Sequence, residues 1–373
     1  MEHSSPVTVV RNSKSHTAWE ILRFLSVNLW ILSSSLIIVS TQVIGAPLHF
    51  CKKDWYYAHI ARTKAAFGIV LIVATQWFAP APVYISGDKS VRGQLHRSKD
   101  GRLETSFPER IIMISNHQIY TDWLYIWWIS YTSKMHQAIY IVLKDSLKWI
   151  PVLGWGMQMY GFIFMRRKWE QDKPNLSKRL SELSASRNYP MWLLLYPEGT
   201  VHASNTVQMS AEYAKKKGIK DLRYLLLPRS TGLRFCIQNL FPSIDYVYDC
   251  TIGYEGNPPG SYAQDIFDLR TIYGEGKGPI GVHMHFRRYL VSDIPYDNEV
   301  AFEDWLLKRW KEKEEMLDYF YTNGHFHSDV DVVKTQAKLE SLLEIFDIFN
   351  GLLAFILVSY LASKIAREFL GLW

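Results

Sequence analysis

Ile111-Ile112-Met113-Ile114-Ser115-Asn116-His117-Gln118-Ile119-Tyr120-Thr121-Asp122-Trp123 decides how this chain is read. The β-branched apolar run Ile111 to Ile114 has the pattern of a buried strand. It ends in polar residues, and an aromatic-rich run follows from Trp123 to Tyr131. The pattern predicts strand, turn, helix, with His117 in the turn and Asp122 in the first helical turn. Five steps along a helix set side chains about 140° apart, so the two do not face each other if both are helical. They meet if His117 sits in the turn and Asp122 points back at it. Asp then fixes the imidazole tautomer and stabilises the imidazolium formed when His takes a proton. Taken alone, such a pair is more often a structural hydrogen bond than a catalytic one.

Around this stretch, composition sets limits. The 373 residues suffice for one large domain or two ordinary ones, and 48% apolar residues permit a sizeable core. Fourteen Trp and 22 Tyr suit a protein that meets a membrane interface, where amphipathic rings settle at headgroup depth. A net charge of +6 favours an anionic partner, such as lipid headgroups or a phosphate-bearing substrate. Cys51, Cys236 and Cys250 show no metal spacing and read as free thiols, which points to a reducing compartment.

In chain order, residues 1–18 are polar and read as a disordered tail. Residues 19–85 hold two uncharged runs, from Leu25 to Ile44 and from Ala65 to Ile85. The first is long enough to cross a bilayer. Pro80 and Pro82 end the second near Ala79, which leaves about 15 residues and fits a re-entrant or interfacial helix as well as a span. A third run, Ile345 to Ala362, is broken only by Asp347 and lies in a C-terminal membrane-associated segment, 326–373. Buried core helices are the alternative for each run. Between them, residues 86–325 alternate strand-like stretches (111–114, 138–143, 162–165, 192–196, 224–227, 246–254, 281–288) with helix-like ones (121–131, 145–160, 175–187, 207–217, 301–320). The alternation predicts an α/β domain. The segment Lys308 to Glu315 reads as a charge-dense, solvated helix face. His283 and His285 share a strand face without further evident ligands, so no metal site is expected. No Gly-x-Ser-x-Gly elbow is present.

Two further strand ends carry chemistry. Trp192-Leu193-Leu194-Leu195 runs into Tyr196-Pro197-Glu198-Gly199-Thr200. Functional groups gather where buried α/β strands end. Gly199 allows close backbone approach, and Glu198 and Thr200 can bond hydroxyls or phosphate oxygens; a turn with Thr200 as helix cap is the alternative. Gly161-Phe162-Ile163-Phe164-Met165 ends in Arg166-Arg167-Lys168, where a guanidinium fork matches phosphate. A surface basic cluster is the alternative there. Lys144 likewise follows a strand directly.

These motifs together resemble the glycerolipid (1-acyl-glycerol-3-phosphate) acyltransferase family over roughly residues 20–320. Asn116-His117…Asp122 is similar to its first block, and Gly161-x-Ile163-Phe164-x-x-Arg167 to its second. Pro197-Glu198-Gly199-Thr200 is similar to the third, and Leu227-Pro228-Arg229-Ser230-Thr231-Gly232 to the fourth. The flanking Leu147-Lys148…Pro151…Gly154-Trp155, Arg167-Lys168-Trp169 and Lys308-Arg309-Trp310-x-x-Lys313-Glu314 most resemble the lysocardiolipin and lysophosphatidylinositol acyltransferase branch. One departure stands out: Val201 follows Glu-Gly-Thr, where many members carry Arg.

The resemblance implies a mixed sheet flanked by helices, with N-terminal and C-terminal membrane helices. It implies a membrane-bound enzyme that transfers an acyl chain from acyl-CoA to the free glycerol hydroxyl of a lysophospholipid. Lysophosphatidylinositol is the preferred acceptor, ahead of lysocardiolipin and lysophosphatidic acid. His117 and Asp122 would be catalytic. Arg167, Glu198, Gly199 and Thr200 would hold phosphate and glycerol, with Lys144 and Pro228 also at the substrate site. No cofactor is implied, acyl-CoA being a co-substrate. The expected partners are both substrates and a phospholipid membrane, placed at the endoplasmic reticulum, with no nucleic acid; the oligomeric state is left open. A CoA-independent transacylase and a catalytically inactive membrane scaffold are the competing readings. Charges on both sides of the first run leave the topology open.

Overall fold

The computed structural model describes residues 17–370. Of the tail expected over 1–18, residues 1–16 lie outside the described residues. Thr17 and Glu20 exchange side-chain and backbone hydrogen bonds and so cap α1 (Ala18–Gly45). A single turn, α2 (Leu48–Cys51), leads into α3 (Lys53–Phe78). Prolines 80 and 82 end α3 where the sequence predicted. Its start corrects the expected length: the helix runs 26 residues, through Asp54, Arg62 and Lys64. Asp54 in the first turn suits the helix dipole. Lys64 is buried with its ammonium 3.7 Å from the centroid of the Tyr140 ring, a cation–π contact.

The sheet begins with β1 (Pro82–Gly87), which the sequence had merged into the preceding apolar run. A hairpin, β2 (Leu95–Arg97) and β3 (Leu103–Thr105), leads to β4 (Arg110–Ser115) and α4 (Asp122–Thr132). Next come β5 (Ile139–Lys144), α5 (Leu153–Met159), β6 (Ile163–Met165), α6 (Trp169–Ala185), β7 (Met191–Leu195), α7 (Val207–Lys217) and α8 (Ser230–Leu240). The chain closes with β8 (Tyr246–Glu255), α9 (Ala263–Ile266), β9 (Gly281–Leu290), α10 (Glu299–Asn323), β10 (Val333–Gln336) and α11 (Asp347–Leu370). The strand order of the main sheet is β10-β1-β9-β8-β4-β7-β5-β6. β8, β4, β7, β5 and β6 run parallel, β9 is antiparallel to β8, and β10 is antiparallel to β1. The fold is the expected α/β mixed sheet flanked by helices.

β4 shows why its sequence is apolar throughout. Residues alternate faces along a strand. Ile111 and Met113 pack on the side of α3 and α4, with Ile72 and Trp127. Ile112 and Ile114 pack on the other side with Leu180 of α6, Ile237 of α8 and Trp310 of α10. Parallel neighbours on both edges bury it completely.

Two expected elements differ. Residues 224–227 form no strand, because their donors go to side chains instead of a neighbouring strand. Tyr224 N donates to Glu314, Leu226 N to Glu198 and Leu227 N to Ser210. The helix expected over 145–160 is split by Pro151 into a 3-10 turn, Asp145–Trp149, and α5.

Three helical segments are long and apolar enough to cross a membrane: Ala18–Cys51, Lys53–Phe78 and Leu342–Lys364. α3 is mostly buried, packed between α1 and α4. α1 and α11 expose apolar side chains, including Leu25, Leu29, Leu36, Phe355, Ile356 and Val358.

Candidate active site

Asn116 continues the β4 pairing by one residue with its side chain. Nδ2 donates to Ile252 O at 2.9 Å, and Oδ1 accepts from Ile252 N at 2.8 Å. The amide thus imitates a peptide group, fixes the strand end to β8, and turns the chain out of the sheet at His117.

His117 then meets Asp122, the first residue of α4, as the turn reading required. His117 Nδ1 lies 2.8 Å from Asp122 Oδ2. The same oxygen accepts from Gln118 N at 2.7 Å and Ile119 N at 3.1 Å, while Oδ1 accepts from Tyr254 OH at 2.5 Å. Asp122 is fully buried and surrounded by donors. It therefore acts as an acceptor towards Nδ1, which places the proton of neutral His117 on Nδ1 and leaves the Nε2 lone pair available. The imidazole stacks on Tyr196, with ring centroids 4.3 Å apart.

The turn after β7 holds this pair from behind. Gly199 N donates to Tyr196 O, and Gly199 takes a φ of +74°, a conformation that suits glycine. Glu198 is buried, not displayed. Oε1 accepts from His117 N and Trp310 Nε1, both at 3.3 Å, and Oε2 accepts from Leu226 N at 3.4 Å. Burial pushes its pKa up to about 8, against the opposing pull of these donors and Lys313. His202 N donates to His117 O at 2.7 Å, a further tie between the two motifs. Thr200 is half-buried and Gly199 exposed.

Of the other residues singled out by sequence, Pro228 is buried, and its neighbour Arg229 donates its backbone N–H to Pro197 O at 2.8 Å. Arg167 sits two residues beyond β6. Burial, then the charge of Arg229, holds its pKa below the usual guanidinium value, with Tyr120 pulling the other way. Lys144 is solvent-exposed at the end of β5, and no contact joins it to His117 among the described residues. His283 and His285 belong elsewhere, His283 stacked on Tyr84 and His285 bonded to Ser86.

Sequence reasoning gave no role to Tyr254, Tyr196 or Arg229. Arg229 carried a signal through its place in the fourth motif, and Tyr196 through its place directly before the third. It also misjudged α10. Trp310 and Lys313 are completely buried. Lys313 Nζ lies 2.5 Å from Asp249 Oδ1, and Glu314 accepts from the backbone of Arg223 and Tyr224. This face of α10 is a buried brace under the site, while Lys308, Lys311 and Glu315 remain on the exposed, solvated side.

Sequence comparison agrees with this arrangement. The acyltransferase family model matches residues 88–255, and an acyltransferase C-terminus model matches 275–346. An uncharacterized acyltransferase of Schizosaccharomyces pombe is 40% identical over 331 residues, covering 89% of this chain and 94% of that protein. The chain belongs to the glycerolipid acyltransferase family. Within the family it stands near the lysophosphatidylinositol and lysocardiolipin branch. The 2-acyl-1-lysophosphatidylinositol acyltransferase of Saccharomyces cerevisiae is 38% identical, covering 72% of this chain and 76% of its own length. Lysocardiolipin acyltransferase 1 of Gallus gallus is 32% identical, covering 74% and 68%. In this glycerolipid acyltransferase the C-terminus model includes α10, the helix that reaches Glu198 and Asp249.

Proposed function

We propose that this acyltransferase moves an acyl chain from acyl-CoA to the free glycerol hydroxyl of a lysophospholipid, with lysophosphatidylinositol preferred over lysocardiolipin and lysophosphatidic acid. The reading rests on the His117–Asp122 pair at the carboxyl end of the parallel strands. The acceptor ranking is supported by the relatives named for lysophosphatidylinositol and lysocardiolipin.

His117 Nε2 takes the proton of the acceptor hydroxyl while Asp122 stabilises the imidazolium. The alkoxide oxygen attacks the thioester carbonyl, forming the C–O bond. The tetrahedral intermediate expels CoA thiolate, which takes the proton back from His117. Direct transfer is supported by the state of the nearby nucleophiles. Ser115 Oγ is buried and donates to Asn116 O, and burial holds the Cys250 thiol well above its usual pKa. Arg167, Gly199, Thr200 and Lys144 line the substrate side in this reading. Glu198 and Pro228 position the turn that carries Gly199 and Thr200.

The three apolar helical segments support an integral membrane protein, which we place at the endoplasmic reticulum with the catalytic domain in the cytosol. Both substrates carry acyl chains, so a site held against the bilayer spares them passage through water.

The test is transfer of labelled acyl chains by the purified protein to a panel of lysophospholipids. Acyl-CoA and diacyl phospholipid serve as alternative donors. The expected result is transfer from acyl-CoA, fastest to lysophosphatidylinositol. Transfer from phospholipid alone would establish a transacylase, and no transfer from either donor would remove the enzymatic reading.

A further inference from the structure

Trp149, Ile150 and Trp155 turn large apolar side chains out to solvent, Trp149 with 73% and Trp155 with 54% of its surface exposed. Side chains of this size are seldom left outside a fold in a cluster unless something covers them. The segment that carries them follows β5. β5 is parallel to β7 and β7 to β4, so it starts, at Lys144, from the same carboxyl end of the strands that carries His117. The exposure is built in. The 3-10 turn Asp145–Trp149 is closed by the Lys148–Asp145 ion pair at 2.7 Å. Ile150 O then accepts from Gly154 N at 2.7 Å, and Lys148 O from Gln158 Nε2 at 3.0 Å. Between them Val152 takes φ +65° and ψ −62°, with Leu153 N donating to Pro151 O at 2.8 Å. This is the positive-φ γ-turn, rare for any residue and an outlier for a β-branched one. At Gly154 a Cβ would strike the carbonyl of Lys148, so the bend closes only on glycine. The chain is thus held as a knuckle with its tryptophans on the outside.

Its neighbours say what covers it. Gly156, the residue after Trp155, packs on α1, where a Cβ would stand 3.2 Å from Val39. Two residues further along α1, Thr41 lies against Gly351 of α11. α11 is anchored at Ile348, which is buried, and beyond Gly351 it exposes Leu353, Phe355, Ile356, Leu357 and Val358. That stretch belongs to a segment long and apolar enough to cross a membrane. The knuckle therefore stands beside the point where α11 leaves the domain, which is where a bilayer holding α11 has its headgroup layer. Amphipathic rings settle at that depth. The ammonium of Lys148 lies 5.3 Å from the centroid of the Trp149 ring and is matched by Asp145. The patch thus offers rings and an aliphatic side chain, not net charge.

We propose that the knuckle from Trp149 to Trp155 inserts into the headgroup layer of a phospholipid bilayer beside α11, and so holds the carboxyl end of the sheet against the membrane. The inference rests on the membrane reading above, to which it adds a contact outside the three apolar helical segments.

The test is depth-dependent fluorescence quenching of the full-length protein in phosphatidylcholine vesicles. Cys51 is exposed while Cys236 and Cys250 are buried, so Cys51→Ser supplies the background for labelling. Trp149→Cys and Trp155→Cys each carry an environment-sensitive label. Lys308→Cys, on the exposed side of α10 and across the sheet, is the control. Labels at positions 149 and 155 lose emission to lipids bearing a quencher near the headgroup, and lose less to lipids bearing it at the chain end. The label at position 308 loses none to either. Absence of quenching at 149 and 155 overturns the proposal, whether water or a second copy of the chain covers the patch. Stronger quenching from the chain end also overturns it, because the segment then lies too deep for an interfacial contact. Where a cysteine variant fails to fold, Trp149→Phe reads the same contact. The shallow quencher takes less intrinsic emission from Trp149→Phe than from the wild type, and an equal loss overturns the proposal. A wild type that does not float with the vesicles refutes the membrane reading itself. One that floats with unquenched labels refutes only this contact.

Discussion

Asp122 gathers four hydrogen bonds on one buried carboxylate: His117, Gln118 and Ile119 on one oxygen, Tyr254 on the other. Asn in its place offers one acceptor oxygen and turns an N–H₂ towards existing donors. Asp122→Asn therefore lowers kcat by about 10²- to 10⁴-fold with little change in KM, because the imidazole loses its fixed tautomer. Steady-state kinetics check this, and an equal kcat would show that the pair is structural. The His117–Asp122 meeting was legible in the sequence because both residues lie in one strand–turn–helix unit. Tyr254 was not, since it arrives from β8, 132 residues further on. No local pattern announces a contact of that kind. Glu198 was legible as a site residue but not in orientation, because its carboxylate turns inward to donors supplied by three separate elements.

At the scale of elements, α10 ties the site to the back of the sheet. Phe302, Leu306, Trp310, Lys313, Leu317 and Phe320 form one buried stripe at helical spacing. The sequence hid this stripe because Lys313 stands in the middle of it, among charged neighbours. Its ammonium is matched by Asp249, which also pairs with Arg287 at 2.8 Å. Lys313→Met leaves a buried carboxylate with one partner fewer, and it lowers stability by about 3–5 kcal/mol. Urea unfolding measures that loss, and a change near zero would mean that water or Arg287 compensates. The segment 224–227 teaches the same lesson from the other side. Its apolar pattern fits a strand, yet side chains from distant elements take its backbone donors. Where a strand's own neighbours supply the pairing, as for β4, β5 and β7, the period of the sequence was enough.

For the whole molecule, buried titratable groups set the pH range of stability. Burial lowers His202 to about 4 and His285 to about 3, from an ordinary 6.5. The folded state thus binds fewer protons than the unfolded one. Stability from these groups is complete above about pH 6.5 and is lost as pH falls towards 4, by at most about 3 kcal/mol each. Glu198 works in the opposite sense. Its folded value of about 8 lies above the ordinary 4.5, so its contribution is complete in acid and is lost as pH rises towards 8. Glu198 partly offsets the histidines between pH 6.5 and 4.5, so the Glu198→Gln melting midpoint should fall more steeply than the wild type's over that range and should lose the wild type's decline from pH 6.5 to 8. A Glu198→Gln midpoint constant from pH 7 to 5 would contradict the burial of the histidines as neutral groups. The molecular plan was largely legible: uncharged runs announced α1 and α11, and alternation announced the sheet. β1 was hidden because its apolar residues directly continue those of α3, and β10 because it has only four residues, Val333–Gln336.

The measurement closest to the central claim is acyl transfer from labelled acyl-CoA to lysophosphatidylinositol by wild-type and His117→Ala proteins. Both are assayed at the same folded concentration. If His117 is the general base, kcat falls by about 10²- to 10⁴-fold while both KM values stay within a few-fold. A His117→Ala protein that turns over at the wild-type rate would place the base elsewhere and contradict the account.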